Sequence, residues 1–187
     1  MIEAALRIIN AGGIHSLTNR RVAELAGVNV AAISYHFGSQ QGLINEALGA
    51  MTGELRAAYD RLGELDVPAA ERLATFIADF TEACRKNPEI VRNPVDLMMR
   101  EAPFDVYGDW MRYIEEEGIL AVASTFRELY PEYHDTAAHV AALNLISCLA
   151  FPHLAGSRLR AIWKVDLDDP AVGRLFTESV VARFVPR

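Results

Sequence analysis

The chain has 187 residues, 51% hydrophobic, 9% aromatic and 23% charged, with a formal charge of −7; this is ordinary globular composition and excludes a disordered tail. The acidic balance argues against a protein that coats nucleic acid indiscriminately, and no run approaches the roughly 18 to 20 apolar residues of a membrane span. The start, MIEAALRIIN, lacks the features of a signal peptide, so a cytoplasmic protein with no membrane partner is expected.

From residue 2 to about 11, Ile2, Ala5, Leu6 and Ile9 recur at helical spacing, and Gly12-Gly13 end the segment. Thr18 is an N-cap for a second helix, with Val22, Leu25 and Ala26 as its buried stripe. Gly27 stops that helix. Asn29 caps a third, over 28–37, in which Ile33 and Phe37 point inward. Two helices of about eight residues, joined by the turn Gly27-Val28-Asn29 and braced by a preceding helix, outline a helix-turn-helix.

All eight prolines fall after position 67 and punctuate the remainder. Helices are expected over 40–62, 69–86, 89–101, 104–130, 135–163 with a break near Pro152, and 171–185. No stretch shows sustained period-2 alternation, whereas sets such as Leu73, Phe76, Ile77, Phe80 and Cys84 follow helical spacing, so the class is all-α. Cys84 and Cys148 show no CxxC or Cys/His spacing; both read as small buried apolar residues rather than disulfide or zinc partners. Residues 1–50 balance Arg7, Arg20 and Arg21 against Glu3, Glu24 and Glu46, so the negative charge resides in the other three quarters.

From Thr18 onward the string TNRRVAELAGVNVAAISYHFGSQQGLINEAL resembles the DNA-binding domain of the TetR family of bacterial transcriptional regulators. The likeness covers about residues 2–50 and is carried by Thr18, Val22-Ala23, Ala26-Gly27-Val28, Tyr35-His36-Phe37, Ser39 and Leu43. It implies an N-terminal three-helix helix-turn-helix domain at 1–48 and a C-terminal helical domain at 49–187 for effector binding and dimerisation. It further implies a repressor that binds a pseudo-palindromic double-stranded operator as a homodimer and is released by a small-molecule effector, with no cofactor or metal.

In a helix-turn-helix the second helix of the motif enters the major groove. Its exposed positions should be Asn29, Val30, Ala31, Ala32, Ser34 and Tyr35. Ala31 and Ala32 suit thymine methyls, Asn29 or Ser34 a base edge or phosphate, and Tyr35 and His36 phosphate oxygens. Thr18 and the free N–H groups behind it form a phosphate site at a positive helix end, and Arg20 adds a cation. Gln40 stands where the family most often has Lys; its amide can bond a phosphate but releases no counterion. Ser34 stands where Tyr is common, and the chain starts almost at the first helix, where many members carry a basic arm. These departures leave an alternative open: a helical ligand-binding or protein-interaction module with weak or no DNA binding.

For the dimer, segments 135–163 and 171–185 offer two apolar stripes: Ala138, Ala141, Ala142, Leu145, Ile146 and Leu149, then Leu175, Phe176, Val180 and Phe184. Candidate effector-pocket residues are Phe76, Phe80, Met98, Met99, Tyr107, Trp110, Tyr113 and Phe126, with Arg100, His139, Asn144 or His153 as polar anchors. An enzyme reading lacks a constellation: there is no GxSxG elbow, phosphate-binding glycine loop or HExxH. Asp135 and His139, four apart, invite a metal, but an acidic residue at a helix start is commonly a cap.

Overall fold

Caps and breakers divide the chain into short helices, and the computed structural model, which describes residues 1–99 and 108–186, shows helices and no strand among those residues. They form α1 (Ile2–Gly12), α2 (Asn19–Ala26), α3 (Val30–Phe37), α4 (Gln40–Arg61), α5 (Ala69–Lys86), α6 (Glu89–Met99), α7 (Gly108–Tyr113), α8 (Ile119–Leu129), α9 (Asp135–Ala155), α10 (Ser157–Trp163) and α11 (Pro170–Phe184). A 3₁₀ turn, Ile14–Ser16, lies between α1 and α2, and a wider π-helical stretch, Ile114–Gly118, joins α7 to α8. The chain divides into two compact units, Met1–Gly53 with Arg92–Arg112 and Glu54–Val91 with Tyr113–Arg187.

In the first unit α1 packs on α2 and α2 on α3. The buried residues of α1 are Ala4, Ala5, Ile8 and Ile9, while Ile2 and Leu6 are only half-buried, so the stripe is rotated from the expected one. Two adjacent alanines let backbones approach closely, and the helix turns them inward. In α2, Val22 and Ala23 are buried but Leu25, assigned above to the core stripe, is 50% exposed. At about 100° per residue, Leu25 points roughly 100° away from the centre of the Val22–Ala23–Ala26 face. Gly13 closes α1 at φ +73°, as the double glycine predicts.

The second unit is organised around α5, α8, α9 and α11, which pack on one another. The predicted stripe Leu73, Phe76, Ile77, Phe80 and Cys84 of α5 is buried. Tyr59 of α4 packs among Phe76, Phe80 and Tyr113 at ring-centroid distances of 4.9, 6.5 and 6.3 Å. Arg72, 4% exposed, donates to the carbonyls of Val67, at 2.9 Å, and Leu62 and pairs with Glu128, so its buried cation is satisfied on several sides.

Several expected boundaries and one expected interface change. The segment expected over 104–130 is interrupted at 114–118 by the π stretch, and its first four residues lie outside the described ones. α9 runs straight through Pro152 and stops only at Gly156, whose φ of +52° and ψ of −130° no helix can continue. A proline removes one N–H from the ladder, whereas this backbone conformation ends it. Ala138, Ala142, Leu145 and Leu149 of the expected dimer stripe are fully buried in the chain's own core, and Val180 is 3% exposed. Leu175 of the expected stripe is exposed on α11, as are Val140, Leu143 and Phe151 on α9 and Ile162 and Trp163 on α10.

Contrary to the sequence expectation, α9 is long and apolar enough to cross a membrane by length and composition alone. Its inward stripe is filled by its own core, and His139, Asn144 and Ser147 face solvent.

Candidate nucleic-acid interface

The helix-turn-helix is set by three local devices. Thr18 caps α2, its Oγ1 accepting from Arg21 N–H at 3.3 Å, and Asn29 caps α3, its Oδ1 accepting from Ala31 N–H at 2.8 Å. Between them Gly27 sits in the left-handed region at φ +68°, ψ +31°, with its N–H and that of Val28 closing the end of α2. A further cap follows: Ser39 Oγ accepts from Gly42 N–H at 3.0 Å and starts α4.

Ile33, fully buried, fixes the rotation of α3. Asn29, Val30, Ala31, Ser34, Tyr35 and His36 are exposed, Ala32 is half-buried, and Phe37, expected inside, is also half-buried. Tyr35 is 86% exposed, its ring edge-on to His36 at 5.5 Å. The small residues of α3 leave its outer face close to the backbone, the shape a major groove admits. His36 also borders a cleft of about 500 Å³ with Met1, Ile2, Glu3, Phe37 and Glu46, where two carboxylates oppose an incoming phosphate.

Of the three arginines, Arg7 pairs with Glu3 at 2.7 Å, and Arg21 donates from Nη1 to the Ser16 carbonyl at 2.7 Å. Arg20 is exposed and has no such partner among the described residues, which leaves its charge available beside the capped start of α2. Gln40 is exposed, and its Nε2 donates one hydrogen to the Leu17 carbonyl at 2.9 Å, which leaves its second amide hydrogen for a phosphate. Sequence reasoning missed Leu25 and Val28, 50% and 38% exposed apolar groups flanking the turn, because it had placed Leu25 in the core and left Val28 as a turn residue.

The candidate effector residues lie at different depths. Phe76, Phe80, Trp110, Tyr113 and Phe126 are buried and Met99 is 80% exposed; Tyr107 lies outside the described residues, as do Arg100 and the side chain of Met98. Tyr113 donates to Asp60 Oδ1 at 2.5 Å beneath the Arg56 guanidinium, and burial together with that carboxylate pushes its phenol above the usual tyrosine range. Described residues of the second unit border at least two cavities. One of about 520 Å³ is bordered by Thr81, Arg85, His153, Asp168, Arg174 and Glu178, and one of about 340 Å³ by Cys148, Phe151, Pro152, Trp163, Val165 and Phe176. His153 borders the larger of these cavities, whereas His139 turns Nδ1 to the Asp135 carbonyl at 2.7 Å and Asn144 faces solvent. Asp135 pairs with Arg127 at 2.7 Å, and the cap of α9 is His134, so neither Asp135 nor His139 is arranged around a shared ion.

Residues 1–47 match the family model described as bacterial regulatory proteins, tetR family. The chain is 35% identical over 80 residues to the HTH-type transcriptional regulator BetI of Escherichia coli O17:K52:H18 (strain UMN026 / ExPEC), covering 42% of this chain and 41% of that protein. The match thus spans about two fifths of the curated relative. Two solved structures share the fold over nearly the whole chain. The TetR family regulator PfmR from Thermus thermophilus superposes with a TM-score of 0.69 at 17% identity, covering 100% of this chain and 98% of that one. FadR from Bacillus subtilis, in complex with stearoyl-CoA, gives 0.69 at 16% identity, covering 98% and 95%.

Proposed function

We propose, from the match of residues 1–47 to the tetR family model and their likeness to BetI, that the chain is a cytoplasmic DNA-binding transcriptional repressor of that family. Residues 1–48 are its DNA-binding domain and 49–187 its effector-binding and dimerisation domain. The observation that carries this reading is α3: an eight-residue helix capped by Asn29 and held by Ile33, with Val30, Ala31, Ser34 and Tyr35 turned to solvent. Ala32 at its flank, Thr18 and Arg20 at the start of α2, and Tyr35 and His36 at the end of α3 supply the remaining base and phosphate contacts.

Two copies pair so that their reading helices meet successive major grooves about 34–36 Å apart on a pseudo-palindromic operator. The pairing surface is the apolar outer face of α9, through Val140 and Leu143, with Leu175 of α11; a monomer would leave these residues in water. A small molecule in the second unit releases the operator, and the cavities of about 520 and 340 Å³ fall in the size range of small-molecule sites.

The test is binding of the purified protein to labelled DNA from upstream of its own gene across a salt series. A specific shift of dimer stoichiometry that weakens with salt supports the reading; absence of any shift, with no retention on heparin, transfers the assignment to a helical interaction module.

A further inference from the structure

We propose that α3 discriminates its operator by apolar contact with thymine methyl groups through Val30 and Ala31, and makes no paired hydrogen bonds to guanine. The inference rests on the reading of α3 as the groove-facing helix and specifies what that helix recognises.

Guanine is most often read by Arg or Lys on O6 and N7, and adenine by Asn or Gln through paired bonds to N6 and N7. The sequence of α3, VAAISYHF, contains none of these four types. The neighbouring polar side chains are oriented by bonds within the domain. Asn29 Oδ1 accepts from Ala31 N–H at 2.8 Å, which orients that side chain along the start of α3 as its cap. Gln40 Nε2 donates to the Leu17 carbonyl and Arg21 Nη1 to the Ser16 carbonyl, so each side chain end is directed at backbone on its own side of the motif. Arg20 lies on α2, the helix that crosses the phosphate backbone rather than entering the groove.

What the first turn of α3 offers instead is aliphatic. Val30 is 42% exposed and Ala31 is exposed, and the fully buried Ile33 fixes the rotation that keeps them outward. In the major groove the thymine C5-methyl is the complementary apolar group, and bringing it against these side chains removes hydrocarbon from water on both partners. The Ser34 hydroxyl, able to donate or accept, satisfies either base type and adds little discrimination.

The test uses the full chain. It is allowed to select duplexes from a random-sequence pool, and each thymine of the selected site is then replaced in turn by deoxyuridine, which removes only the methyl group. Expected are half-sites containing thymines at which replacement weakens binding about fourfold per methyl, the loss for one buried methyl-sized group. Val30→Thr, which exchanges a methyl for a hydroxyl, brings the thymine-to-uracil ratio at one such position close to unity; Val30→Ala does the same if the threonine variant melts early. Specific binding that is indifferent to uracil at every thymine, or that collapses when half-site guanines become 7-deazaguanine, overturns the inference and leaves the regulator reading standing. Failure to enrich any sequence at any salt overturns both.

Discussion

Gln40, the first residue of α4, donates from Nε2 to the backbone carbonyl of Leu17, the residue before the cap of α2, at 2.9 Å across 23 positions of sequence. The bond ties the starts of two helices together and withdraws one amide donor from any phosphate. Replacing Gln40 by Lys is expected to steepen the slope of log affinity against log salt by about 0.9, the contribution of one further neutralised phosphate. Gln40→Ala should lower stability by about 1 kcal/mol, as one lost internal hydrogen bond. Equilibrium unfolding and a salt titration of DNA binding separate the two effects.

Tyr35 stands 86% exposed at the end of α3. Tyr35→Ala is therefore expected to leave stability within about 0.5 kcal/mol of the parent. Affinity for all duplexes should fall by a similar factor of about five, equivalent to roughly 1 kcal/mol for one phosphate hydrogen bond. Because the hydroxyl is neutral, the salt slope stays unchanged, and fluorescence anisotropy on a specific and a scrambled duplex checks both points.

Two glycines of the first unit predict different losses. Gly27 holds a left-handed backbone with open space around its missing Cβ, so Gly27→Ala costs only the conformational strain, about 1–2 kcal/mol. At Gly42, within the first turn of α4, a Cβ would run into the backbone carbonyl of Phe37, which cannot swing aside. Gly42→Ala is expected to destabilise more than Gly27→Ala in the same denaturation assay.

Leu143 and Leu145 lie two residues apart on α9, yet one is 63% exposed and the other fully buried. Leu143→Glu is expected to convert the proposed dimer to a folded monomer in light scattering, with helical content retained. Leu145→Glu places an unpaired charge in the core and is expected to unfold the chain instead.

Burial pushes the Cys84 thiol up from its ordinary value near 9 to about 12. Below pH 9 the thiol is protonated in both states, and the stability linked to it is fully present. As pH rises from about 9 toward 12 the unfolded chain ionises while the folded one does not, so stability falls with pH. Cys84→Ala should flatten that decline in denaturant titrations at pH 8, 9 and 10. In the native protein a thiol reagent is expected to label the half-buried Cys148 first and Cys84 only on unfolding.

Much of the first unit was legible in the residues themselves because its signals are local. Thr18, Gly27 and Asn29 each act on backbone groups within a few residues, so the two caps and the left-handed turn could be read without knowing what packs around them. The stripe of α5 was equally plain, since its apolar residues occupy one face and its charged residues, the buried Arg72 apart, the other. The boundaries near Pro152 and within 104–130 were less so: a proline weakens a helix without always ending it, and a π stretch carries no residue type of its own.

Which face of an apolar helix points inward is a different kind of question. α9 carries Ala138, Ala142, Leu145 and Leu149 on one side and Val140, Leu143 and Phe151 on the other, so hydrophobic periodicity has no direction to report. Only packing against α5, α8 and α11 decides that the alanine-containing side goes in and leaves the second stripe in water. The same holds for Leu25, turned out by its angle to the Val22–Ala23 face, and for Gln40, whose partner lies 23 residues away. Composition, caps and spacing therefore determined the all-α class and the helix-turn-helix, which depend on neighbours in sequence. The tertiary structure alone decided the outward faces, the cavity walls and the long-range hydrogen bonds, because these depend on which surfaces meet once water is excluded.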